Sequence, residues 1–482
     1  MWGAHWSILL EKRGVPGVFV VDEPFIADVQ VTCEKEGMPE LRRVNVPHPA
    51  GDVSDEELPE IMSNMVRALT KPVTEDDRNE IPKREKESRF FPMFHEVEDG
   101  PPAGKSEEEG GIGEAPTQPA ITGTLEEIQN YFDENCWTDG LPIVPPTRDR
   151  IEEMLSGTSH PPSEIVTKTM LPEDWIVTVE KVAIVGVMAG CKPADMPVLL
   201  GIIEAFSQEV FASTVRSTTS FSFPVIVNGP IAKEIGMNSG INALGSGTGN
   251  KANATIGRFL RLAIINLGGS KSGVSDMSSQ GNPSKYSFAF AENEERSPWD
   301  PFHVSMGYRP DESVVTIMSG GWSHMGCFGN VDLDQIAKAV TSIELPNGLL
   351  LIMDPMPAKI LAKKGYNKQD VEEYIWTHAK TTAGEFRSDF FYPAFIEPIL
   401  KGGTMYGQDS QWPSHYLDLR DDELVHKFPK GSINVVVVGG ETNPFTQAWR
   451  MSRPIMVSAD KWREPALSGQ EPPASKRPAP VY

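Results

Sequence analysis

The sequence predicts an α/β protein: an incomplete N-terminal parallel-sheet segment of Rossmann-like type, followed by a large irregular α/β domain. Three observations predict it. Apolar runs of strand length recur at 18–21, 225–227 and 435–438, within the stretches 224–228 and 434–438, and such runs suit strands covered on both faces. Between them lie stretches with apolar residues at helical spacing; over 251–266, Ile256, Phe259, Leu260, Ala263 and Ile264 form one stripe. Their alternation implies helices laid over a largely parallel sheet.

Residues 1 to about 72 read as helix, strand, helix, strand, helix. The run 6–13 ends at Gly14, a helix stop, with Pro16 behind it. A strand follows at 18–21, a helix over 26–35 and a second strand over 41–46. Ser54 and Glu57 form a capping box for a helix running to about Leu69. Two parallel strands do not bury two helical faces, and the order opens on a helix. The missing strands are therefore expected from a partner chain or from sequence upstream of Met1.

Residues 73–122 read as a disordered linker, charged over 74–88 and rich in Gly, Glu and Pro over 100–113. Local anchoring is expected at the aromatic run 90–94. The tail over 463–482 has the same character. Between them, 123–462 is expected to form the large domain and the catalytic part of the chain. Helices are expected over 125–132 and 148–155, flanking an extended 140–147. A strand over 182–188 then leads through a turn to a helix carrying Leu199, Ile202, Ile203 and Phe206, with Asp195 as its N-cap and Pro197 in its first turn. Further strands are placed at 313–318 and 349–353, and helices over 333–342 and 368–381. No fixed-period repeat stands out.

A net charge of −23 argues against nucleic acid and anionic membrane surfaces as partners. The 4 cysteines lie far apart with no CxxC pair, which suits a reducing compartment. No signal peptide and no membrane-length apolar stretch stands out, so a cytoplasmic location is expected.

The chemistry centres on Cys191. A thiol in a strand-to-helix turn sits where α/β folds present reactive groups, and Lys192 with a nearby helix N-terminus favours thiolate. The opposing view is a half-buried turn cysteine with no role. A Gly-rich turn over 245–250 feeds the helix beginning near Lys251, and exposed backbone N–H groups there suit an oxyanion or carboxylate. Asn250, Lys251, Asn253 and Arg258 are its candidate binding residues, and Asn228 lies at another strand end. The alternative is a tight turn capped by Asn250. Glu292 and Glu294, in an acidic run with His303 close behind, are candidates for acid/base or ligand roles. His324 and Cys327, three residues apart, can pair an imidazole with a thiol or hold a metal, although one H-x-x-C is a weak zinc signal and no metal is assigned. Cys136 reads as incidental.

The residues 10–16 before an apolar strand, then 37–39 and 46–49, resemble the C-terminal half of UGSC-type (seleno)proteins, a family similar to the selenoprotein B subunits of glycine, sarcosine and betaine reductases. That family's Sec- or Cys-Gly-Ser-Cys-Thr motif would precede residue 5, so its absence here implies a start downstream of the motif. Residues 136–300 resemble a companion domain of UGSC proteins through five stretches, 137–147, 187–191, 227–230, 250–258 and 291–295. The resemblance implies thiol or selenol redox chemistry.

The leading expectation is a thiol-dependent redox enzyme acting on a small anionic substrate. Cys191 would be the nucleophile, His324 or His303 the acid/base group, Cys327 a resolving thiol, and Asn250, Lys251 and Arg258 the anion clamp. A thiol electron donor and a homo-oligomer or partner chain would accompany it; no cofactor is assigned. The rivals are a Cys/His or metal-dependent hydrolase or lyase using Glu292 and Glu294, and a non-catalytic binding subunit of a selenoprotein complex.

Overall fold

The computed structural model describes residues 2–22, 25–47, 53–71, 73, 121–208, 211–327, 331–344, 348–389, 392–402 and 412–463. The aromatic run 90–94, the rest of 74–120 and the tail beyond 463 lie outside the described residues.

The N-terminal segment has the expected order: α1 (Trp2–Lys12), β1 (Phe19–Asp22), α2 (Ile26–Lys35), β2 (Arg43–Val46) and α3 (Leu58–Thr70). β1 and β2 are parallel, with Phe19 opposite Arg43. Ala4, Ile8, Val21, Val29, Cys33 and Leu41 close a small core. The Ser54–Glu57 box forms: Glu57 N donates to Ser54 Oγ at 3.3 Å and Ser54 N to the Glu57 carboxylate at 3.0 Å. No residue of α3 is buried.

The large domain begins with α4 (Leu125–Glu134), α5 (Arg148–Leu155) and the hairpin β3 (Ile165–Met170) and β4 (Trp175–Thr178). The main departure from expectation follows. Residues 182–188 are no strand; they belong to a helix, α6 (Val179–Ala189). Thr178 caps it by accepting from Lys181 N, and Gly190, at φ 85°, ends it in the left-handed region that a side chain would strain. Every residue from 182 to 189 is buried. A helix enclosed on all sides has no polar face, so its sequence reads like a buried strand.

Two four-stranded sheets then build the domain. The first unit runs α7 (Met196–Phe206), β5 (Val225–Asn228), α8 (Pro230–Glu234), α9 (Lys251–Asn266), β6 (Ala289–Ala291), α10 (Phe302–Ser305), β7 (Val314–Ile317) and β8 (Gly320–Cys327). The second runs α11 (Leu333–Val340), β9 (Leu349–Met353), α12 (Pro355–Lys363) and α13 (Lys368–His378). After the small antiparallel pair β10 (Lys380–Thr382) and β11 (Leu424–His426) it continues with β12 (Ile433–Val437), β13 (Thr446–Met451) and β14 (Ile455–Ser458). The strand orders are β14-β7-β5-β6 and β12-β9-β13-β8.

The sheets stack face to face. Val225 and Val227 of β5 face the core made with α6, α7 and α9, while Ile226 points to the second sheet. In β9, Leu349, Leu351 and Met353 face α11, α12 and α13, while Leu350 and Ile352 meet the first sheet. The result is four layers: helices, sheet, sheet, helices. Strands covered on both faces account for the wholly apolar runs.

These two units are the same fold twice. In each, the first two strands are parallel neighbours and the third lies antiparallel beside the first. The fourth strand of each unit then leaves and completes the other sheet: β8 pairs with β13, and β14 with β7. Similar residues stand at the joints. Asn228-Gly229-Pro230 answers Asp354-Pro355, and Asn250-Lys251 answers Asn367-Lys368. The connection after β6 is far longer than the one after β12, so no fixed period was legible.

Candidate functional site

Cys191 lies in the turn between two helices, α6 and α7, rather than after a strand. Cys191 N donates to Gly186 O at 2.9 Å and continues the end of α6. Asp195 does not cap α7 with its side chain; its Oδ2 accepts from Lys192 N at 2.8 Å and closes the turn. Asp195 is 2% exposed, and its Oδ1 has no hydrogen-bond partner. Burial raises the Asp195 carboxyl, opposed by the Lys192 backbone N–H and the charges of Lys192 and Lys251.

The thiol is not activated at rest, contrary to the expectation of a favoured thiolate. Burial pushes it well above its usual range and the Asp195 carboxylate pushes it further; a hydrogen bond with Thr255 and the Arg258 charge oppose them. The helix that begins at Met196 is separated from Cys191 by a 3₁₀ turn over Pro193–Asp195, so its dipole is remote.

α9 places Lys251, Thr255 and Arg258 on the side facing this turn, as spacings of four and three residues require. Arg258 is not a free anion clamp. Its Nε and Nη2 donate to both Asp139 oxygens at 2.8 Å, and Nη2 also reaches Leu141 O at 3.0 Å. Two of the stretches that carry the companion-domain resemblance, 137–147 and 250–258, are thus tied by one bidentate pair. Asn250 and Asn253 point elsewhere. Asn250 makes no side-chain cap; its Nδ2 donates to Asn242 O at 2.6 Å and to Gly245 O at 2.9 Å. Asn253 Nδ2 reaches Asn238 O and Ala243 O, and its Oδ1 accepts from Asn238 N. Both shape the loop over 238–250 by satisfying its backbone.

A second polar cluster joins the ends of β5, β6 and β12. Glu292, 4% exposed, accepts from Asn228 Nδ2 at 2.6 Å and from Phe302 N, and Lys368 Nζ stands 3.2 Å from its other oxygen. Glu294 accepts from Asn228 Nδ2 at 3.0 Å and Gly229 N at 2.8 Å. His303 is fully buried with neither ring nitrogen hydrogen-bonded, and Nδ1 is 3.8 Å from Glu294. Asn293 N donates to Val437 O at 2.7 Å, fastening the two edge strands β6 and β12 together. Bonds from several directions make Glu292 an organiser of strand ends rather than a free base.

Lys368 and Glu372 were not singled out in the sequence. Glu372 accepts from Val435 N at 2.9 Å, and burial raises its carboxyl to about 7 against that bond and the Lys368 charge. The Asn-Lys pair repeated at 250–251 and 367–368 was the available signal.

His324 and Cys327 lie in β8, the edge strand of the second sheet. His324 is exposed and stacks on Trp449, centroids 4.2 Å apart. It is not joined to the Cys191 cluster, which packs with the first core. Among the described residues no group of three His, Cys, Asp or Glu side chains is placed to hold a metal ion. No described helix is long and apolar enough to cross a membrane.

Residues 2–75, the segment carrying α1 to α3, match the UGSC family. The match ends with that segment; the four-layer domain lies outside it. No curated protein and no solved structure matches the chain.

Proposed function

We propose that the turn between α6 and α7 is a thiol site for a small anionic electrophile, with Cys191 as nucleophile and Asp195 as its proton acceptor. The observation that carries this reading is the unpartnered Oδ1 of a buried Asp195, whose charge acts on the Cys191 thiol across the turn. Lys192 and Lys251 supply the positive field, and Thr255 orients the sulfur. Arg258 holds the site together through Asp139. The base assigned here replaces His303 and His324, neither of which joins Cys191.

A thiol held protonated needs a base at the moment of attack. The S–H proton passes to Asp195 Oδ1, sulfur bonds the electrophilic carbon, and the leaving group departs with its electron pair. Mass spectrometry of the whole protein treated with iodoacetate or iodoacetamide tests this. Relative to exposed Cys136, Cys191 should favour the anionic reagent, and Lys251→Ala should remove that preference. Asp195→Asn should slow alkylation about tenfold. If Asp195 only repels a thiolate, Asp195→Asn will speed alkylation, and the reading fails.

A further inference from the structure

The repeated units differ in one place, and the difference opens a cleft. By strand pairing, Val227 corresponds to Met353 and Ala291 to Val437, because Val227 lies opposite Ala291 in one sheet and Met353 opposite Val437 in the other. Asn228 therefore corresponds to Asp354, and Glu292, Asn293 and Glu294 to Val438, Gly439 and Gly440. In the first unit the space over these strand ends is filled from within. The long connection after β6 lays α10 there: Phe302 joins the core between the sheets, and the Phe302 N–H bonds Glu292. In the second unit the connection is short; Val438 and Gly440 stand where the first unit has Glu292 and Glu294, and Gly439 where it has Asn293. A cleft of about 410 Å³ remains, walled by the 240–245 loop, Asp354 and the 438–443 turn. That volume is in the range of small-molecule sites.

The cleft is built rather than left over. Gly439 N donates to Ser239 O at 2.9 Å, joining the loop of one unit to the strand end of the other. Gly439 has φ 132°, and a Cβ there would lie 2.4 Å from Asp354 Oδ2. Asn293 Nδ2 bonds Gly439 O at 2.8 Å from behind. The asparagines that staple the 238–250 loop thus serve this wall.

Its lining indicates the ligand chemistry. Among the described lining residues there is no Lys or Arg. Asp354 already caps α12 through Met356 N at 2.9 Å, so the helix N-terminus is spent and the local charge is negative. These features disfavour a phosphate or carboxylate. Thr442 and Asn443 are exposed and make no side-chain hydrogen bond within the described residues, offering donors and acceptors together. Phe445, 42% exposed, and Ile241, 66% exposed, flank them with apolar surface. Paired donors and acceptors beside an apolar face match a ring that bears hydroxyl groups.

We infer that the cleft at the ends of β9 and β12 binds a neutral sugar or polyol, edge-on to Thr442 and Asn443 and with its C–H face on Ile241. The site is separate from the Cys191 turn, and its test does not read thiol chemistry. Saturation-transfer NMR on the full chain should be run with glucose, ribose and myo-inositol, using acetate and choline as charged comparators. At least one neutral probe should give a saturable signal, weakened tenfold or more by Thr442→Val with Asn443→Leu, both exposed positions. Unchanged circular dichroism and melting would verify that this double variant folds. The inference is overturned if no neutral probe saturates, if acetate or choline binds more tightly than every neutral probe, or if the folded double variant binds as well as the parent.

Discussion

Ser319 and Ser452 hydrogen-bond to each other where the two units trade their last strands. Ser452 N donates to Ser319 O at 2.7 Å, and Ser319 N donates to Ser452 Oγ at 2.9 Å. Each serine follows a methionine, Met318 and Met451, that is buried between the sheets. Because β8 completes the second sheet and β14 the first, neither sheet is whole without the other unit. We therefore expect 121–463 to unfold in one transition, with tryptophan fluorescence and far-ultraviolet dichroism coincident in urea. Ser452→Ala leaves the Ser319 N–H without its acceptor and should cost about 1–3 kcal/mol. Two separated transitions would contradict the strand exchange.

Lys368 should be far more important to stability than its position on a polar helix start implies. It is the positive partner of Glu292, and both side chains are nearly enclosed, at 6% and 0% exposed. Lys368→Ala leaves a carboxylate buried without a counter-charge, a change that costs about 3–5 kcal/mol. Glu292→Gln in the same background should recover part of that loss. Urea midpoints of the two single variants and the double variant measure the coupling; additive losses would show that the two groups do not act together.

Local signals read well where an element has one polar side or a cap. The bounds of α5 and α9 follow from such signals, those of β9 follow from its short unbroken apolar run, and the Ser54–Glu57 box is present as written. Enclosure is what hid the rest. Residues 182–188 lacked a polar face, so their helical form became visible only through Gly190 and the packing around them. Of the candidate site, Asn228, Glu292, Glu294 and His303 do gather, and Cys191 does meet Lys251 and Arg258 around Asp195. What was illegible is long-range pairing: Asp139 to Arg258 and Lys368 to Glu292 join residues distant in the chain. The duplication was obscured by unequal connections and by the strand exchange itself.

The Glu372 carboxyl makes stability depend on pH in a specific direction. Its folded value is raised from 4.5 to about 7, so the folded state holds this proton more tightly than the unfolded chain. Its contribution is full below about pH 4.5 and is lost as pH rises towards 7. The difference amounts to at most roughly 3 kcal/mol. Glu372→Gln keeps an acceptor for Val435 N and removes the titration. Stability measured from pH 5 to 8 should therefore fall less steeply in the variant. Parallel pH profiles for the two proteins would refute the assignment.

Arg258 offers the sharpest choice between a structural tie and an anion clamp. Its guanidinium bonds both oxygens of Asp139, a carboxylate only 2% exposed, while the arginine itself is 15% exposed. A planar fork meeting a carboxylate in this way fixes geometry as well as charge. Arg258→Ala strands the buried carboxylate and should destabilise the domain by about 3–5 kcal/mol, whereas Arg258→Lys keeps the charge but loses the second bond and should cost less. Asp139→Asn combined with Arg258→Ala should be more stable than Arg258→Ala alone, because no unpaired charge remains. Denaturant midpoints at two sulfate concentrations decide the matter. A structural tie gives the same loss at both concentrations; a clamp would leave the midpoint without sulfate near the parent value and abolish only the stabilisation that sulfate adds.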